Sequence, residues 1–294
     1  MKKLTARAYA KLNLYLDITG RREDGYHLLE TVMQSISLHD VVSVELRNGG
    51  GITLRCDRED VPTDRRNTAY KAAELFMQAA GISAGVDISI KKHIPSGAGL
   101  GGGSADAAAV LRMLNKAAGF PLSEERLLDI AAQVGADVPF CLVGGTKLCR
   151  GIGEQLSEFP GLPAAEYVVV KPEFSCPTGE AYRRYDEAPV EPRGGLEHFR
   201  NNFPEGMYNV FQTLYADERI ERLCRFLREA GAAGAMLTGS GSAVFGVFLN
   251  EKQAEHAEQA AVNFPGCRAV KCRAVSEGVT ITEEQEGSYD KGSE

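Results

Sequence analysis

A glycine-rich segment from Pro95 to Ala105, with the sequence PSGAGLGGGSA, is the strongest chemical signal in this chain. Glycines at this density let backbone N–H groups approach an anion without obstruction by side chains. The Ala/Leu-rich helix that follows is predicted to begin near Ser104, and its amino-terminal end adds a partial positive charge. The segment therefore predicts a phosphate-binding loop, with a tight turn between a strand and a helix as the alternative.

Two further requirements narrow the kind of phosphate-binding loop. A Walker A loop needs a lysine directly after its last glycine, whereas Gly102 is followed here by Gly103, so a P-loop NTPase is excluded. The residues from Gly97 to Gly102 do satisfy the dinucleotide fingerprint G-x-G-x-x-G. That fingerprint also needs an acidic residue about 20 positions later, after a second strand. Residues 121–124 instead read as the start of a helix, so a nicotinamide-binding oxidoreductase stays an alternative with an incomplete motif.

A lysine and an asparagine lie two positions apart in a segment whose residues alternate between apolar and polar. Positions 10–18 follow the period-two pattern of a half-buried β-strand, so Lys11 and Asn13 point to the same side. They offer a fixed cation and an amide to a ligand. Tyr26 and His27, at a later turn, offer an aromatic ring and a hydrogen-bonding edge. The alternative is a solvated strand face followed by an ordinary Asp-Gly turn.

Two more segments carry polar groups at predicted loops. Asp137, in the sequence GADVPF, is placed to cap a helix that has Pro139 in its first turn, and an aspartate fixed there can also face a site. The residues from Leu237 to Ser242 form a second loop of glycines and hydroxyls between two predicted strands. This loop is either a simple hairpin turn or a segment that closes over a nucleotide together with the first loop.

The histidines and cysteines show no arrangement typical of a metal site or a nucleophile. The five histidines lack metal-ligand spacing, the seven cysteines contain no C-x-x-C pair, and the segment Gly239-Ser240-Gly241 is one residue too short for a G-x-S-x-G nucleophile elbow. An odd number of cysteines without such a pair predicts reduced thiols in a cytosol.

The charge and hydropathy of the chain exclude several classes of partner. The 294 residues carry a formal net charge of −7, which argues against capture of nucleic acid or of an anionic membrane. The apolar runs are too short to cross a bilayer, and the amino terminus does not resemble a signal peptide. We therefore expect a cytoplasmic protein with no nucleic-acid or membrane partner. No sequence feature specifies an oligomeric state.

Strands and helices mix along the chain without regular alternation, which predicts the α+β class. We predict an N-terminal lobe over residues 1–158 and a C-terminal lobe over residues 159–270. A last strand over residues 271–282 is expected to return toward the first lobe. The acidic and polar residues 283–294 predict a disordered tail.

Taken in order, four segments resemble the motifs of the GHMP small-molecule kinases: AKLNLYLDI with GYH, PSGAGLGGGSADAA, GADVPFCLVGG and LTGSGSAVF. The resemblance covers nearly the whole chain, from about Lys3 to Val275. It implies a two-lobed α+β fold with the active site between the lobes, and phosphoryl transfer that uses ATP and Mg²⁺. Within the superfamily, the segments AKLNL, GYH and GADVPF are similar to members of the non-mevalonate isoprenoid pathway. This closer resemblance implies that the small-molecule substrate is a cytidine diphosphate-linked methylerythritol, phosphorylated on its 2-hydroxyl.

The resemblance also implies roles for the catalytic and nucleotide-binding residues. Lys11 and Asp137 would be the catalytic pair, in which Asp137 accepts or orients the hydroxyl proton and Lys11 keeps that aspartate ionised. Ser104 would be a candidate magnesium ligand. The residues that would hold ATP are Asn67, Pro95, Gly97, Ala98, Gly99, Leu100, Gly101, Gly102, Gly103 and Ser104.

A further set of residues is implied for the acceptor substrate. Asn13 and His27 would contact it, and the rings of Tyr26 and Tyr182 would stack on either side of the cytosine. Tyr182 stands where the family often carries Phe, and both rings offer the same stacking face. Thr178 would bind substrate as well, and Ser240 would line the cleft.

Two alternatives to this kinase remain. Another kinase of the same superfamily, acting on a different alcohol, would turn over without a cytidine requirement. A nucleotide-binding module without catalysis is disfavoured because both Lys11 and Asp137 are present.

Overall fold

A computed structural model describes residues 2–190, 195–261 and 263–286 of the chain. Two β-sheets with helices packed against them make up the fold. The elements in chain order are β1 (Lys2–Arg21), β2 (His27–Arg47), β3 (Ile52–Cys56), α1 (Thr68–Ala80), β4 (Gly85–Lys91), α2 (Gly102–Ala117), α3 (Glu124–Val134), α4 (Val138–Val143), β5 (Thr146–Arg150), β6 (Gln155–Glu158), β7 (Glu166–Lys171), α5 (Thr178–Glu187), α6 (Gly195–Asn201), β8 (Tyr208–Asn209), α7 (Val210–Tyr215), α8 (Glu218–Glu229), β9 (Gly234–Leu237), β10 (Val244–Phe248), α9 (Glu251–Ala261), β11 (Arg268–Arg273) and β12 (Val279–Glu286).

The larger sheet has the strand order β12-β1-β2-β4-β3; in addition β5 pairs with β2, β6 pairs with β5, and β8 pairs with β1. Its pairs are antiparallel apart from β3 with β4 and β1 with β8. The long strands β1 and β2 form a hairpin, and α2 packs against both of them. A mainly antiparallel sheet with helices on it confirms the predicted α+β class.

Strand β1 differs from its prediction in the burial of its polar face. The alternation predicts a half-buried strand, but Leu12 and Leu14 are buried and so are Lys11 and Asn13 on the other side. Helix α2 packs against β1, and the loop after β9 reaches the backbone of Asn13. Alternation shows which residues share a face, but it does not show that a distant loop covers the polar one.

The smaller sheet has the strand order β11-β7-β10-β9 and is antiparallel throughout. Helix α8 packs against β9 and β10, and α9 packs against β7 and β11. In α8 the buried residues Ile220, Leu223 and Leu227 recur at helical spacing, so one face of an otherwise charged helix meets the sheet.

The prediction for the end of the chain needs correction. Residues 271–273 belong to β11 in the smaller sheet, and the strand that returns is β12, which begins at Val279 and pairs with β1. Residues 283–286, which composition assigns to a disordered tail, extend this pairing as far as Glu286 opposite Lys2. The backbone hydrogen bonds of an edge strand tolerate charged side chains, so composition alone is misleading there. The rest of the predicted tail lies outside the described residues, and the lobe boundaries at residues 158 and 270 stay predictions.

Two further structural findings concern membrane-spanning helices and cysteine thiols. Within the described ranges, no helix is both long and apolar enough to cross a membrane. All seven cysteines are free thiols.

Candidate active site

A cavity of about 1060 Å³ is bordered by β1, the glycine-rich loop before α2, the start of α4, helix α5 and the loop after β9. The structure brings every residue predicted for catalysis, ATP binding and substrate binding to this one cavity. The predicted residues that line it are Lys11, Asn13, Tyr26, His27, Asn67, Pro95, Gly97, Ala98, Gly99, Leu100, Gly101, Gly102, Gly103, Ser104, Asp137, Thr178, Tyr182 and Ser240.

Lys11 and Asp137 form an ion pair inside the cavity, with 3.5 Å between Nζ and Oδ2. The lysine side chain is 5% exposed, and the aspartate side chain is 31% exposed. The ammonium group is thus enclosed by protein, while the carboxylate still faces the open part of the cavity. This arrangement keeps a negative charge available to a bound molecule beside a fixed positive one.

Asp137 is freed for this contact by the way α4 begins. It occupies the position before the first turn, but its side chain makes no capping hydrogen bond to the helix. Pro139 stands in that first turn and has no N–H that needs an acceptor. The prediction of a capping aspartate is therefore wrong for the side chain, and the alternative, an aspartate that faces a site, describes what the structure shows.

Asn13 holds the ammonium of Lys11 in place. Its Oδ1 accepts a 2.6 Å hydrogen bond from Lys11 Nζ, and its Nδ2 donates a 2.9 Å bond to Thr31 Oγ1. The backbone N–H of Asn13 donates to Thr238 Oγ1 at 3.1 Å. Both ends of the Asn13 amide are thus engaged by protein. The sequence analysis assigned no role to Thr31 or Thr238. Thr238 lies in the second glycine-containing loop, which was noted as a candidate segment, whereas nothing in the sequence indicates Thr31.

The two glycine-containing loops touch each other directly. Gly99 has a φ of 75°, and a Cβ built on it would overlap the carbonyl oxygen of Thr238. Gly101 has a φ of 71° and caps α2, and a Cβ there would lie 2.9 Å from Cγ of Lys11. The backbone N–H of Lys11 donates to Leu100 O at 3.0 Å, which ties the loop to β1. Only glycine combines these left-handed angles with such close packing.

Helix α2 begins at Gly102, two residues before the predicted start near Ser104. Its cap, Gly101, forms no side-chain hydrogen bond to the first turn. The free N–H groups of that turn and the positive end of the helix dipole therefore lie at the cavity, as an anion site requires.

Asn67 caps α1 at the rim of the cavity. Its Oδ1 accepts from the N–H of Ala69 at 2.9 Å, and its Nδ2 donates to Pro62 O at 2.7 Å. Both ends of the Asn67 amide are thus engaged, which fixes it in a single orientation next to the glycine-rich loop.

A buried charge cluster lies beneath this loop and was not predicted. Lys92 Nζ contacts the carboxylates of both Asp40 and Asp106, at 2.7 Å from Asp106 Oδ2. Burial raises the pKa of Asp106 to about 7, and the nearby Asp40 adds to this effect while Lys92 opposes it. Burial acts to lower the pKa of Lys92, but the two carboxylates outweigh it and the net shift is upward. One ammonium thus contacts two carboxylates, and its charge does not fully offset the effect of burial on the pKa of Asp106.

A group of aromatic residues also lines the cavity. The rings of His27 and Tyr182 stack at 4.8 Å, and Tyr182 meets Phe211 edge to face at 5.1 Å. Burial raises the pKa of Tyr182 to about 12, and Asp137 adds to the shift. Tyr26 is 61% exposed at the rim. The ring of Tyr182 is thus held by contacts with His27 and Phe211, while Tyr26 borders the opening of the cavity.

Thr178 and Ser240 meet across the cavity, with 2.9 Å between their hydroxyl oxygens. Thr178 begins α5, and Ser240 lies in the loop after β9. Their contact joins the helix that carries Tyr182 to the second glycine-containing loop.

The cavity offers few side chains to a metal ion. Within the part of the chain that the structure describes, no group of three or more His, Cys, Asp or Glu residues is arranged to hold one. Ser104, at the start of α2, stays the predicted protein ligand for magnesium.

Comparison with known families agrees with this geometry. The family described as GHMP kinases N terminal domain matches residues 67–145, and the family described as GHMP kinases C terminal matches residues 196–265. The fold and the site thus define a GHMP kinase, an enzyme that uses ATP to phosphorylate a small molecule. The G-x-G-x-x-G match from Gly97 to Gly102 lies in a kinase loop, so the oxidoreductase alternative is wrong.

Curated relatives narrow the class further. A 4-diphosphocytidyl-2-C-methyl-D-erythritol kinase of Caldicellulosiruptor saccharolyticus is 41% identical over 84% of this chain and 89% of the relative. The enzyme of the same description from Acetivibrio thermocellus is 43% identical over 86% of this chain and 93% of the relative. The chain belongs to the family of 4-diphosphocytidyl-2-C-methyl-D-erythritol kinases.

Solved structures share the architecture. A crystal structure of 4-(cytidine 5'-diphospho)-2C-methyl-D-erythritol kinase matches with a TM-score of 0.79 at 34% identity, over 92% of this chain and 99% of that chain. A homoserine kinase from Cytophaga hutchinsonii matches with a TM-score of 0.78 at 18% identity, over 95% of this chain and 97% of that chain. The second likeness shows the fold alone.

Proposed function

We propose that this chain transfers the terminal phosphoryl group of ATP to the 2-hydroxyl of 4-diphosphocytidyl-2-C-methyl-D-erythritol, in the non-mevalonate route to isoprenoid precursors. The observation that carries the proposal is the pair of Lys11 and Asp137, 3.5 Å apart in a cavity with a glycine-rich loop and a stacked aromatic wall. The names of relatives above 40% identity support the same acceptor.

In this proposal Lys11 and Asp137 act on the acceptor hydroxyl. Asp137 Oδ2 accepts the hydroxyl proton or orients it, the acceptor oxygen bonds to the terminal phosphorus, and ADP departs with the electrons of the broken P–O bond. Lys11 balances the charge of the Asp137 carboxylate beside it and offsets negative charge on the transferring group. Such transition states are metaphosphate-like, so catalysis requires mainly positioning and charge neutralisation. A fixed ion pair supplies both.

The nucleotide is proposed to occupy the glycine-rich loop. The N–H groups at the start of α2 would donate to its phosphate oxygens, and Asn67 would border the nucleoside. Mg²⁺ bound to the phosphates would neutralise part of their charge, with Ser104 as the protein ligand. The remaining loop residues, Pro95 to Gly103, would enclose the phosphates by backbone contact.

The acceptor is proposed to bind with its cytosine against Tyr182 and with Tyr26 closing over it. Stacking between a base and aromatic rings is favourable without a positive surface, which fits a chain of negative net charge. His27 would read the edge of the base, and Asn13, Thr178 and Ser240 would contact or line the path of the sugar alcohol. The cytosine would thereby place the 2-hydroxyl near Asp137.

The proposed setting is the cytoplasm, in line with seven free thiols. The acidic net charge supports a small-molecule enzyme without nucleic-acid or membrane partners. In this proposal residues 1–158 form the ATP lobe and residues 159–270 the substrate lobe.

A substrate panel tests the function. The purified protein is assayed with ATP and Mg²⁺ against the cytidylyl sugar alcohol, mevalonate, homoserine and galactose, and ADP release is measured with each. We expect turnover of the cytidylyl compound alone, and its loss in the Asp137→Asn variant. Equal or faster turnover of another alcohol would contradict the proposal. Turnover that persists undiminished in Asp137→Asn would contradict the proposed role of Asp137 in the reaction.

A further inference from the structure

His27 is held on three sides by the protein. Its Nε2 lies 2.7 Å from Asp186 Oδ1, its ring stacks on Tyr182, and Tyr185 meets it edge to face at 5.7 Å. Its side chain is 9% exposed, whereas that of Asp186 is 38% exposed. The orientation of the imidazole is therefore set by its neighbours before any ligand arrives.

The contact of Asp186 with Nε2 of His27 determines whether Nδ1 can donate or accept a hydrogen bond. The hydrogen bond from His27 holds the pKa of Asp186 below its ordinary value, so this carboxylate is ionised and can only accept. Nε2 must then carry the proton. In the neutral imidazole Nδ1 is left with a lone pair, and no residue in the described ranges donates a hydrogen bond to it. His27 thus offers the cavity an acceptor and no donor.

Helix α5 carries both groups that act on His27. Tyr182 and Asp186 are four residues apart, so they lie on the same face of the helix. Tyr182 stacks on the imidazole, and Asp186 bonds its edge. Arg21 lies 3.7 Å from the same Asp186 oxygen and adds a positive charge beside the carboxylate. One short helix therefore fixes both the plane and the tautomer of the histidine.

We propose that Asp186 is a positioning residue that makes the enzyme select cytosine over uracil by holding His27 with an acceptor at Nδ1. This inference rests on the proposed function. Cytosine presents an exocyclic amine that donates to such an acceptor. Uracil presents a carbonyl oxygen at the same place, which would oppose its lone pairs to that of Nδ1. Without Asp186 the proton can move to Nδ1, and the histidine then serves either base.

The test compares two acceptors that differ in the base alone, the cytidine and the uridine diphosphate-linked methylerythritol. We expect the ratio of kcat/KM between them to fall by about tenfold in Asp186→Ala, as loss of one directed hydrogen bond predicts. Most of the change should lie in KM, since the base is remote from the reacting hydroxyl. Glu187→Ala is the matched control, because Glu187 is the next carboxylate on α5 and pairs with Arg183 instead. Its ratio should equal that of the wild type.

A spectroscopic measurement tests the dyad without any substrate. In ¹⁵N-labelled protein at mildly alkaline pH, the His27 ring should carry its proton on Nε2 in the wild type and in Glu187→Ala. In Asp186→Ala the ring signals should shift toward a mixture of tautomers. An Asp186→Ala protein that keeps both the tautomer and the base ratio of the wild type would overturn the inference.

A double variant separates the histidine from other effects of the carboxylate. In a His27→Ala background, Asp186→Ala should change the base ratio no further. A further tenfold fall in that background would show that Asp186 acts elsewhere and would overturn the inference. Failure of the wild type to use the cytidine substrate at all would instead overturn the proposed function, and the selectivity with it.

Discussion

Lys11 and Asp137 lie far apart in the chain but meet as an ion pair with 3.5 Å between Nζ and Oδ2. The lysine comes from a strand buried on both faces, and the aspartate comes from the start of a short helix. A second bond, from Lys11 Nζ to Asn13, keeps the ammonium in place independently of the aspartate. The pair thus joins a rigid cation to a carboxylate that remains open to the cavity.

The first prediction concerns this carboxylate. Asp137→Asn should lower kcat by about 10²–10⁴-fold, because the amide cannot accept the hydroxyl proton and no longer balances the charge of Lys11. The free energy of unfolding should fall by no more than about 1–2 kcal/mol, since Lys11 keeps its bond to Asn13. Steady-state kinetics and urea unfolding measure the two quantities. Asp129→Asn, on the exposed face of α3, is the control, and a kcat within a few-fold of that control would remove Asp137 from the mechanism.

Sequence periodicity was sufficient for some parts of this site. Alternation placed Lys11 and Asn13 on one side of a strand, and the structure joins them by a hydrogen bond. The density of glycine between a strand and a helix predicted a phosphate-binding loop, and the structure places that loop at the cavity. Both signals are local, because strand geometry and backbone access are decided within a few residues.

Local sequence patterns do not predict contacts between segments that are distant in the chain. No spacing rule brings Asp137 to Lys11 or Thr238 to Gly99, and only the family resemblance suggested that the first pair belong together. Asp186 reads in the sequence as an ordinary charge near the end of a helix. Its proposed role depends on a contact with His27, which lies at the start of β2 and is distant in the sequence.

The second prediction concerns the contact between the two loops. Gly99→Ala would force a Cβ into the carbonyl of Thr238 and strain a left-handed backbone, whereas Gly119→Ala strains a similar backbone in open space. Gly119→Ala should therefore cost about 1–2 kcal/mol of unfolding free energy. Gly99→Ala should cost a further 1–3 kcal/mol or so and weaken ATP binding. Urea unfolding and nucleotide titration check this, and equal losses in the two variants would show that the loops do not depend on this close packing.

The third prediction concerns the stacking ring of Tyr182. Tyr182→Phe keeps the aromatic face and should leave the KM for the cytidylyl substrate nearly unchanged. Tyr182→Ala should raise that KM about 10–100-fold, as loss of one base stack predicts, and leave the KM for ATP unaltered. Initial rates at varied concentrations of each substrate separate the two constants. A rise in both KM values by the same factor would point to a general loss of structure at the site.

The last prediction concerns the buried cluster of Lys92, Asp40 and Asp106. Burial raises the pKa of Asp106 to about 7, so the native state keeps a proton there that the unfolded chain releases near pH 4. The folded state therefore binds more protons between these values, and the stability that this group contributes falls as pH rises from about 4 to about 7. Above about 7 both states are ionised at this position, and the contribution becomes constant.

Asp106→Asn replaces the titrating group by one that stays neutral, so this part of the pH dependence should vanish. The free energy of unfolding of the wild type, measured relative to Asp106→Asn in urea, should decline by a few kcal/mol at most between about pH 4 and pH 7. Asp87→Asn, at a half-buried ion pair between Asp87 on β4 and Arg47 on β2, should keep the wild-type slope over the same range. Parallel curves for the wild type and Asp106→Asn would mean that Lys92 keeps Asp106 ionised throughout this range, which would contradict the prediction.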